Sequence, residues 1–127
     1  MFSHVMVGSN DVARSKRFYD ALFNAIGAKP GREDEKGVNY LHNGAAFMVR
    51  PPRNGEPATS ANGSTIGFAV ETADQVKAWH DAGVLAGGTS IEDPPGVRQG
   101  AFGPLYLAYL RDPDGNKLCA LHRIPTE

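Results

Sequence analysis

Two side chains that could do chemistry lie on strand-like segments near opposite ends of the chain. His4 begins the alternating segment His4–Val7, and Cys119 lies inside the apolar segment Lys117–His122. Histidine is the natural general base near neutral pH, and imidazole with thiolate forms a suitable ligand pair for zinc. His4 and Cys119 are therefore the candidate catalytic residues. The alternative for Cys119 is a small buried hydrophobe.

The other three histidines are weaker candidates. His80 follows Trp79 on a predicted helix, where we expect it to make a hydrogen bond between helix and sheet. His42 adjoins a predicted hairpin turn and is expected to be solvated. Alternation from Cys119 points His122 to the opposite face of its strand.

An internal repeat indicates how these residues are positioned. Residues 4–27 recur by residue type as 65–88, so that Phe18 corresponds to Trp79 at an offset of 61 (79−18). The repeat predicts two copies of one small module. Because neither copy is large enough to bury its own core, the two must pack together, and they could leave a concave seam for a ligand.

Each copy predicts a strand, a helix and two further strands. The first copy has strand His4–Val7 and a helix that is capped by Asp11 and ends near Gly27. Strands Val38–Leu41 and Ala45–Val49 follow around the Asn43–Gly44 turn, and one more strand is expected around 28–31. The second has strand Ser64–Val70, a helix from the Thr72–Gln75 capping box to Gly87–Gly88, a loop from Glu92 to Gly103, and strands Leu105–Leu110 and Lys117–His122 around the turn Asp112–Asn116.

The linker and composition fix the domain prediction. Pro51–Gly63 is rich in Pro, Gly and Ser, so module 1 covers about 1–50, the linker 51–63 and module 2 about 64–127. With 127 residues and 41% apolar residues, the chain fits a single domain, 1–127.

Charge and cysteine content exclude several classes of partner. Thirteen Lys and Arg against fourteen Asp and Glu give a net charge of −1 without a basic run, so we expect no nucleic acid and no membrane partner. No apolar run is long enough to span a bilayer, and the start MFSHVMV is unlike a signal peptide. The single Cys119 fits a reducing compartment, and the predicted location is cytoplasmic.

These features together carry a family resemblance. A βαβββ unit present twice, DPDGN before the final strand, AWHDAGVLAGG in the second helix and His4 on the opening strand resemble the vicinal-oxygen-chelate superfamily of glyoxalase I, bleomycin-resistance proteins and extradiol dioxygenases. The resemblance implies an α+β fold in which two tandem βαβββ modules form a curved mixed sheet around a central cavity, with the helices outside. It also implies a homodimer.

The resemblance further implies four metal-ligand positions on the first and last strands of each module. Enzymes of the superfamily typically place two His and one or two Glu there. The matching residues here are His4, Phe47 or Met48, Thr65 and Cys119, so His4 is the only clear family ligand retained. We therefore expect no metal. A divalent zinc, nickel, manganese or iron ion held by unconventional ligands is the alternative.

A ligand pocket is expected in the seam. Its predicted lining comprises Met6, Phe47, Met48, Thr65, Gly67, Arg98, Tyr106 and Leu121. Arg98 belongs to Pro94–Gly100, which is interpreted either as a lid or as a solvated loop. Alternation allows only one of Tyr106 and Tyr109 to face the seam.

Three functional hypotheses follow. The first is a pocket protein with an eroded metal site, which binds or transforms an unidentified small organic ligand without a metal. The second is a divalent-metal lyase or isomerase of the glyoxalase I (lactoylglutathione lyase) type, or a dioxygenase, that uses His4. The third is a metal-independent catalyst with His4 as the base. We favour metal-free binding or activity over the metalloenzyme.

Overall fold

The strand–helix–strand–strand–strand order occurs twice along the chain. The computed structural model describes residues 1–126. Its elements are β1 (His4–Gly8), α1 (Val12–Asn24), β2 (Arg32–Asp34), β3 (Gly37–His42), β4 (Ala45–Arg50), β5 (Ile66–Ala69), α2 (Ala73–Leu85), β6 (Thr89–Gly100), β7 (Gly103–Arg111) and β8 (Lys117–Arg123). The predicted α+β class and the two tandem modules are confirmed.

The strands form two separate mixed sheets of four. Sheet A has the order β1-β4-β3-β2 and sheet B the order β5-β8-β7-β6. In each sheet the first strand of the module runs parallel to the last, with Met6 beside Met48 in sheet A and Gly67 beside Cys119 in sheet B. Among residues 1–126 no strand of sheet A pairs with a strand of sheet B, so the expected single curved sheet is divided in two.

Both helices begin at a capping side chain. Asp11 accepts a hydrogen bond from the backbone N–H of Arg14 at 3.0 Å, and Thr72 accepts one from the N–H of Gln75 at 3.1 Å. The Gln75 side chain accepts from the N–H of Glu71 at 2.7 Å, which completes the predicted capping box. In the described part of the chain, neither helix has the length and apolar character needed to cross a bilayer.

The core runs through both modules because α1 and α2 pack against each other. The largest fully buried side chains, from both halves of the chain, are Trp79, Tyr19, Phe18, Leu22, Leu110 and Leu118. The helices can approach closely at Gly83, where a Cβ would lie 2.9 Å from the Cδ1 of Leu22 and closer still to Leu110. The two helices therefore meet at the joint between the modules.

Two expectations for the connecting segments are wrong. The predicted loop Glu92–Gly103 is largely strand β6, which pairs with β7 on both sides of an irregularity between Ile91 and Gly96. This irregularity accommodates the two prolines of the segment, which lack the N–H that a regular ladder requires. The extra strand of module 1 is β2, at Arg32–Asp34, instead of residues 28–31.

The turn between β7 and β8 is fastened to the other module. Asp112, which is 3% exposed, accepts hydrogen bonds from the Tyr19 hydroxyl at 2.6 Å and from the side-chain amide of Asn116 at 2.8 Å. Asp114 in the same turn pairs with Arg14 at 2.9 Å. Burial, followed by the charge of Asp112, raises the pKa of Tyr19 well above its ordinary value. The turn thus joins module 2 to α1 of module 1.

Candidate functional site

The two candidate catalytic residues, His4 and Cys119, lie on the sheet surfaces that face away from the helices. In β1, Val5 and Val7 pack against the core, so His4 and Met6 point away from α1. In β8, Leu118 and Ala120 are core residues, and the alternate residues Cys119 and Leu121 point the other way. We call these helix-free surfaces face A, formed by His4, Met6, Leu41, Ala46 and Met48, and face B, formed by Gly67, Leu107, Tyr109, Cys119 and Leu121.

Strand register decides between Phe47 and Met48. Met48 lies beside Met6 as Cys119 lies beside Gly67, and Met6 and Gly67 are related by the repeat offset of 61 (67−6). Met48 is therefore the counterpart of Cys119. Phe47 lies on the helix side of sheet A, only 6% exposed, with its ring centroid 4.9 Å from that of Tyr19. Its ring still lines the cleft between the modules, so only a place among the residues of face A is ruled out for it.

Tyr106 is also on the opposite surface from the one expected. It packs against the core on the helix side of sheet B, where the Lys77 ammonium lies 5.7 Å from its ring centroid. Tyr109 faces the other way, directly opposite Cys119 in the β7–β8 ladder. Counting back across the five-residue turn from Cys119 could have identified Tyr109, provided that the turn length had been known.

The surroundings of Cys119 keep its thiol neutral. Cys119 is 4% exposed, and burial raises its pKa to about 11. The Lys117 ammonium lies 4.8 Å from the Tyr109 ring centroid and forms an ion pair with Glu92. A thiol that remains protonated at neutral pH is a weak nucleophile.

His4 is exposed, and its Nδ1 lies 2.8 Å from the Ser3 hydroxyl. Thr65 precedes β5 and lines a small cavity of about 140 Å³ with Arg111 and Lys117. Within residues 1–126, no three His, Cys, Asp or Glu side chains converge as metal ligands. A thioether, a hydroxyl and a protonated thiol beside His4 also do not match the nitrogen and carboxylate donors of the superfamily's metal site.

Arg98 supports the irregular part of β6 rather than a free lid. Its Nη2 donates to the carbonyl of Pro94 at 2.9 Å, and Leu105 lies opposite it in the β6–β7 ladder. Leu121 pairs with Leu107 on face B. Of the other histidines, His42 lines the cleft between the modules, and the Nε2 of His80 lies 2.8 Å from the Ser90 hydroxyl, as expected at a helix–sheet junction.

The predicted pocket residues are divided among separate cavities. Met6 lines a groove of about 970 Å³ between the end of β1 and residues 50–59. Phe47 and Gly67 line a cleft of about 390 Å³ between the modules, together with Phe23 and Phe68. Two of these rings, Phe47 and Phe68, meet at 5.4 Å between centroids across the module boundary. No one of these cavities contains the whole predicted set.

Comparisons with known proteins cover almost the full chain. The sequence model of the Glyoxalase/Bleomycin resistance protein/Dioxygenase superfamily matches residues 1–120. A glyoxalase/bleomycin resistance protein of known structure from Albidiferax ferrireducens T118 is 56% identical over 97% of this chain and 99% of that chain, with a TM-score of 0.94. Among curated proteins, none matches.

More distant structures share the fold. A hypothetical protein from S. aureus is 23% identical over 96% of this chain and 92% of that chain, with a TM-score of 0.74. Lactoylglutathione lyase from Agrobacterium tumefaciens is 16% identical over 96% of this chain and 92% of that chain, with a TM-score of 0.67. At these identities the likeness concerns the fold alone.

Proposed function

The chain belongs to the Glyoxalase/Bleomycin resistance protein/Dioxygenase superfamily, and from this membership we propose that it binds or transforms a small organic molecule without a metal. The observation that carries the proposal is the donor set at the four positions where the superfamily holds its metal. They contain His4, Met48, Thr65 and the buried Cys119. A hard or borderline cation held by side chains requires at least three good ligands, and only the His4 imidazole is one outright, because Thr65 offers a weakly coordinating hydroxyl, Met48 a thioether and Cys119 a buried thiol.

The side chains on the two faces suit an apolar or aromatic ligand. On face A, Met6 and Leu41 are 58% and 72% exposed, so this apolar surface is open to a ligand. On face B, Tyr109 and Leu121 are partly exposed beside the buried Leu107. Such surfaces bind through shape and a few polar anchors, which requires no metal.

We propose a homodimer as part of the same function, in which the partner covers face A around Leu41 and leaves the Met6 and Met48 side chains open to a ligand. Burial of the exposed Leu41 would stabilise the pair. Light scattering after size-exclusion chromatography should give twice the chain mass of 13.6 kDa. Leu41→Glu should yield monomers, whereas Leu85→Glu, at a position that is 90% exposed on α2, should not. A mass near 13.6 kDa for the wild type at micromolar concentrations would reject the dimer.

A metal titration tests the central claim. Zinc, nickel, manganese and iron(II) are titrated calorimetrically into chelator-treated wild type and His4→Ala. We expect no stoichiometric binding to either protein. Stoichiometric binding that disappears in His4→Ala would contradict the proposal and favour a divalent-metal lyase, isomerase or dioxygenase. Assays for thiohemiacetal isomerisation and ring-opening oxygenation would then follow.

A ligand screen tests the other half of the proposal. A library of neutral aromatic fragments is added to isotope-labelled protein, and amide shifts are mapped by NMR. We expect fragments to shift signals on the two faces, at Met48, Tyr109 and Leu121. Shifts confined to the cleft around Phe23 and Phe68 would move the binding site away from the faces and contradict the assignment.

The proposed location is cytoplasmic, where the free thiol of Cys119 would stay reduced.

A further inference from the structure

The groove beside face A has an unbalanced positive charge. Its charged lining consists of Lys36, Arg50 and Arg53 against a single carboxylate, Glu56. None of these four side chains forms a salt bridge within the part of the chain that the structure describes. This excess of positive charge occurs in a protein whose net charge is −1. We call this cavity, between the Gly8 and Arg50 ends of β1 and β4 and the segment 51–59, the basic groove.

Arg50 is the most constrained of the three cations. It is half-buried at the end of β4, and its Nη2 donates to the side-chain oxygen of Asn39 at 3.1 Å. Its Nε is shielded from water and has no hydrogen-bond partner among residues 1–126. A charged group that has lost water without gaining a full set of partners is under-compensated. An anion entering the groove would restore that compensation.

Asp34 does not fill this role, although the hydrogen bond from the Lys36 N–H and, to a lesser degree, the charge of Arg50 lower its pKa. Asp34 accepts hydrogen bonds from the backbone N–H groups of Lys36 at 2.8 Å and Gly37 at 3.0 Å, and from the side-chain amide of Asn39 at 3.0 Å. Asp34 therefore holds Asn39, which in turn orients Arg50. Its carboxylate forms no ion pair with the guanidinium in the described residues.

We propose that the basic groove binds the carboxylate or phosphate group of a small organic molecule, with Arg50 as the principal cation and Lys36 and Arg53 in support. A guanidinium recognises both oxyanions through paired donors, and exposed cations at the entrance attract them. The apolar part of the molecule would lie against Met6, which the groove shares with face A. The inference extends the proposed ligand site and rests on the proposed function for that apolar part.

The test compares charged and neutral probes of one shape. Benzoate, phenyl phosphate and the neutral benzamide are titrated into isotope-labelled full-length protein, and amide shifts are followed by NMR. Both anions should bind at least about tenfold more tightly than benzamide, equivalent to ~1.4 kcal/mol. They should shift signals at Met6, Gly8 and Ala58. Higher salt should weaken only the anions. The anion that binds with the higher affinity shows whether the groove prefers a carboxylate or a phosphate.

Arg50→Gln should remove the preference for anions, and Arg53→Gln should reduce it severalfold. Arg17→Gln is the matched control, because Arg17 is an exposed cation on α1 outside the groove. If Arg50→Gln does not fold, the wild-type preference and Arg53→Gln still decide. Equal affinity for benzoate and benzamide, absence of groove shifts with both anions, or equal losses in Arg50→Gln and Arg17→Gln would overturn the proposal.

The two proposals fail separately. Neutral fragments that bind the faces while anions gain nothing would overturn the basic groove and support the proposed function. Anions that shift groove signals while neutral fragments leave both faces unchanged would support the groove and contradict the assignment of an apolar ligand to the faces.

Discussion

Face A and face B share a register but differ in how much of them solvent reaches. Met6 lies beside Met48 as Gly67 lies beside Cys119. Yet Met48, the counterpart of Cys119, is partly exposed, whereas Cys119 is only 4% exposed. The outer strands of the two sheets differ in length: β2 has three residues and β6 has twelve. The longer strand brings Glu92 and Arg98 close enough to Cys119 to influence its thiol.

The difference shows which properties the repeat preserves. The hydrophobic faces of the helices and the pairing of first and last strands follow from periodicity, which both copies keep. How far solvent reaches each face depends on the lengths of the segments around it, and these lengths differ between the two copies. Module 1 therefore presents the open surface and the basic groove, while module 2 carries the shielded thiol.

Substitutions in the β7–β8 turn and in the β3–β4 turn should show the largest difference in stability between the two modules. Asp112, in the β7–β8 turn, also accepts from the backbone N–H groups of Asp114 and Asn116, both at 2.9 Å. Asp112→Ala leaves these donors and the Tyr19 hydroxyl without a buried acceptor, so the free energy of unfolding should fall by about 3–5 kcal/mol. Urea denaturation measures it.

The matched change in module 1 is Asn43→Ala, in the β3–β4 turn. Asn43 is exposed with φ of 51°, a left-handed conformation that costs alanine about 1 kcal/mol. Equal losses in Asp112→Ala and Asn43→Ala would contradict the view that only the second turn joins the modules. If Asp112→Ala does not fold, Tyr19→Phe removes one bond and should cost about 1–3 kcal/mol.

The same turn predicts a pH dependence. Because the pKa of Tyr19 is raised in the folded protein, its contribution to stability is present below the ordinary tyrosine pKa of about 10 and decreases as the pH rises above it. Tyr19→Phe should make the alkaline decline shallower. An unchanged slope in Tyr19→Phe would show that Tyr19 does not titrate with unfolding.

The second prediction concerns thiols at matched positions of the two faces. The pKa of Cys119 is raised from 9.0 to about 11, so at neutral pH its thiolate fraction is about a hundredfold lower (two pKa units). Met48→Cys in a Cys119→Ala background places a thiol on the open face. That thiol should react with a disulfide reagent at least about tenfold faster than native Cys119, because the larger thiolate fraction is partly offset by the lower nucleophilicity of a less basic thiolate.

Unfolding provides the control for this comparison, because both thiols should react at the same rate in guanidinium chloride. A difference that persists after unfolding would be a property of local sequence. Equal rates in the folded proteins would show that face B is not shielded as described.

The sequence could predict what depends on local periodicity. Alternation placed His4 and Met6 opposite Val5 and Val7, and capping side chains located both helix starts, as the structure confirms. The β6 strand was missed because its Pro and Gly content is typical of a loop, while its pairing with β7 comes from a strand formed later in the chain.

The errors in the candidate site have a different origin. The expected face of Tyr106 is wrong because a shift of one residue in a strand exchanges the faces, and register depends on turn lengths; the same uncertainty leaves both Phe47 and Met48 open as counterparts of Cys119 in the sequence. The basic groove was missed because Arg50 and Arg53 gain significance only when the segment after β4 folds back over β1. That arrangement leaves no periodic signal in the sequence.

The third prediction compares two glycines of module 2. A Cβ at Gly83 would collide with Leu110 and press on Leu22 at the joint between the helices, whereas a Cβ at Gly67 meets no atom within 4 Å. Gly83→Ala should lower the free energy of unfolding by about 1–2 kcal/mol, since overpacking exceeds the gain in helix propensity. Gly67→Ala should change it by less than about 0.5 kcal/mol. Equal effects in thermal denaturation would contradict the tight joint.

The smallest effect is expected at the ion pair beside face B. Glu92 pairs with Lys117, but the Glu92 side chain is 48% exposed, so solvent screening limits the contribution of the pair. Glu92→Gln should lower the free energy of unfolding by under about 1 kcal/mol, and 1 M salt should remove the difference. Asp93→Asn, an adjacent loss of one negative charge at an exposed residue, is the control and should have a smaller effect. A loss above about 2 kcal/mol in Glu92→Gln would contradict the screening of this pair by solvent.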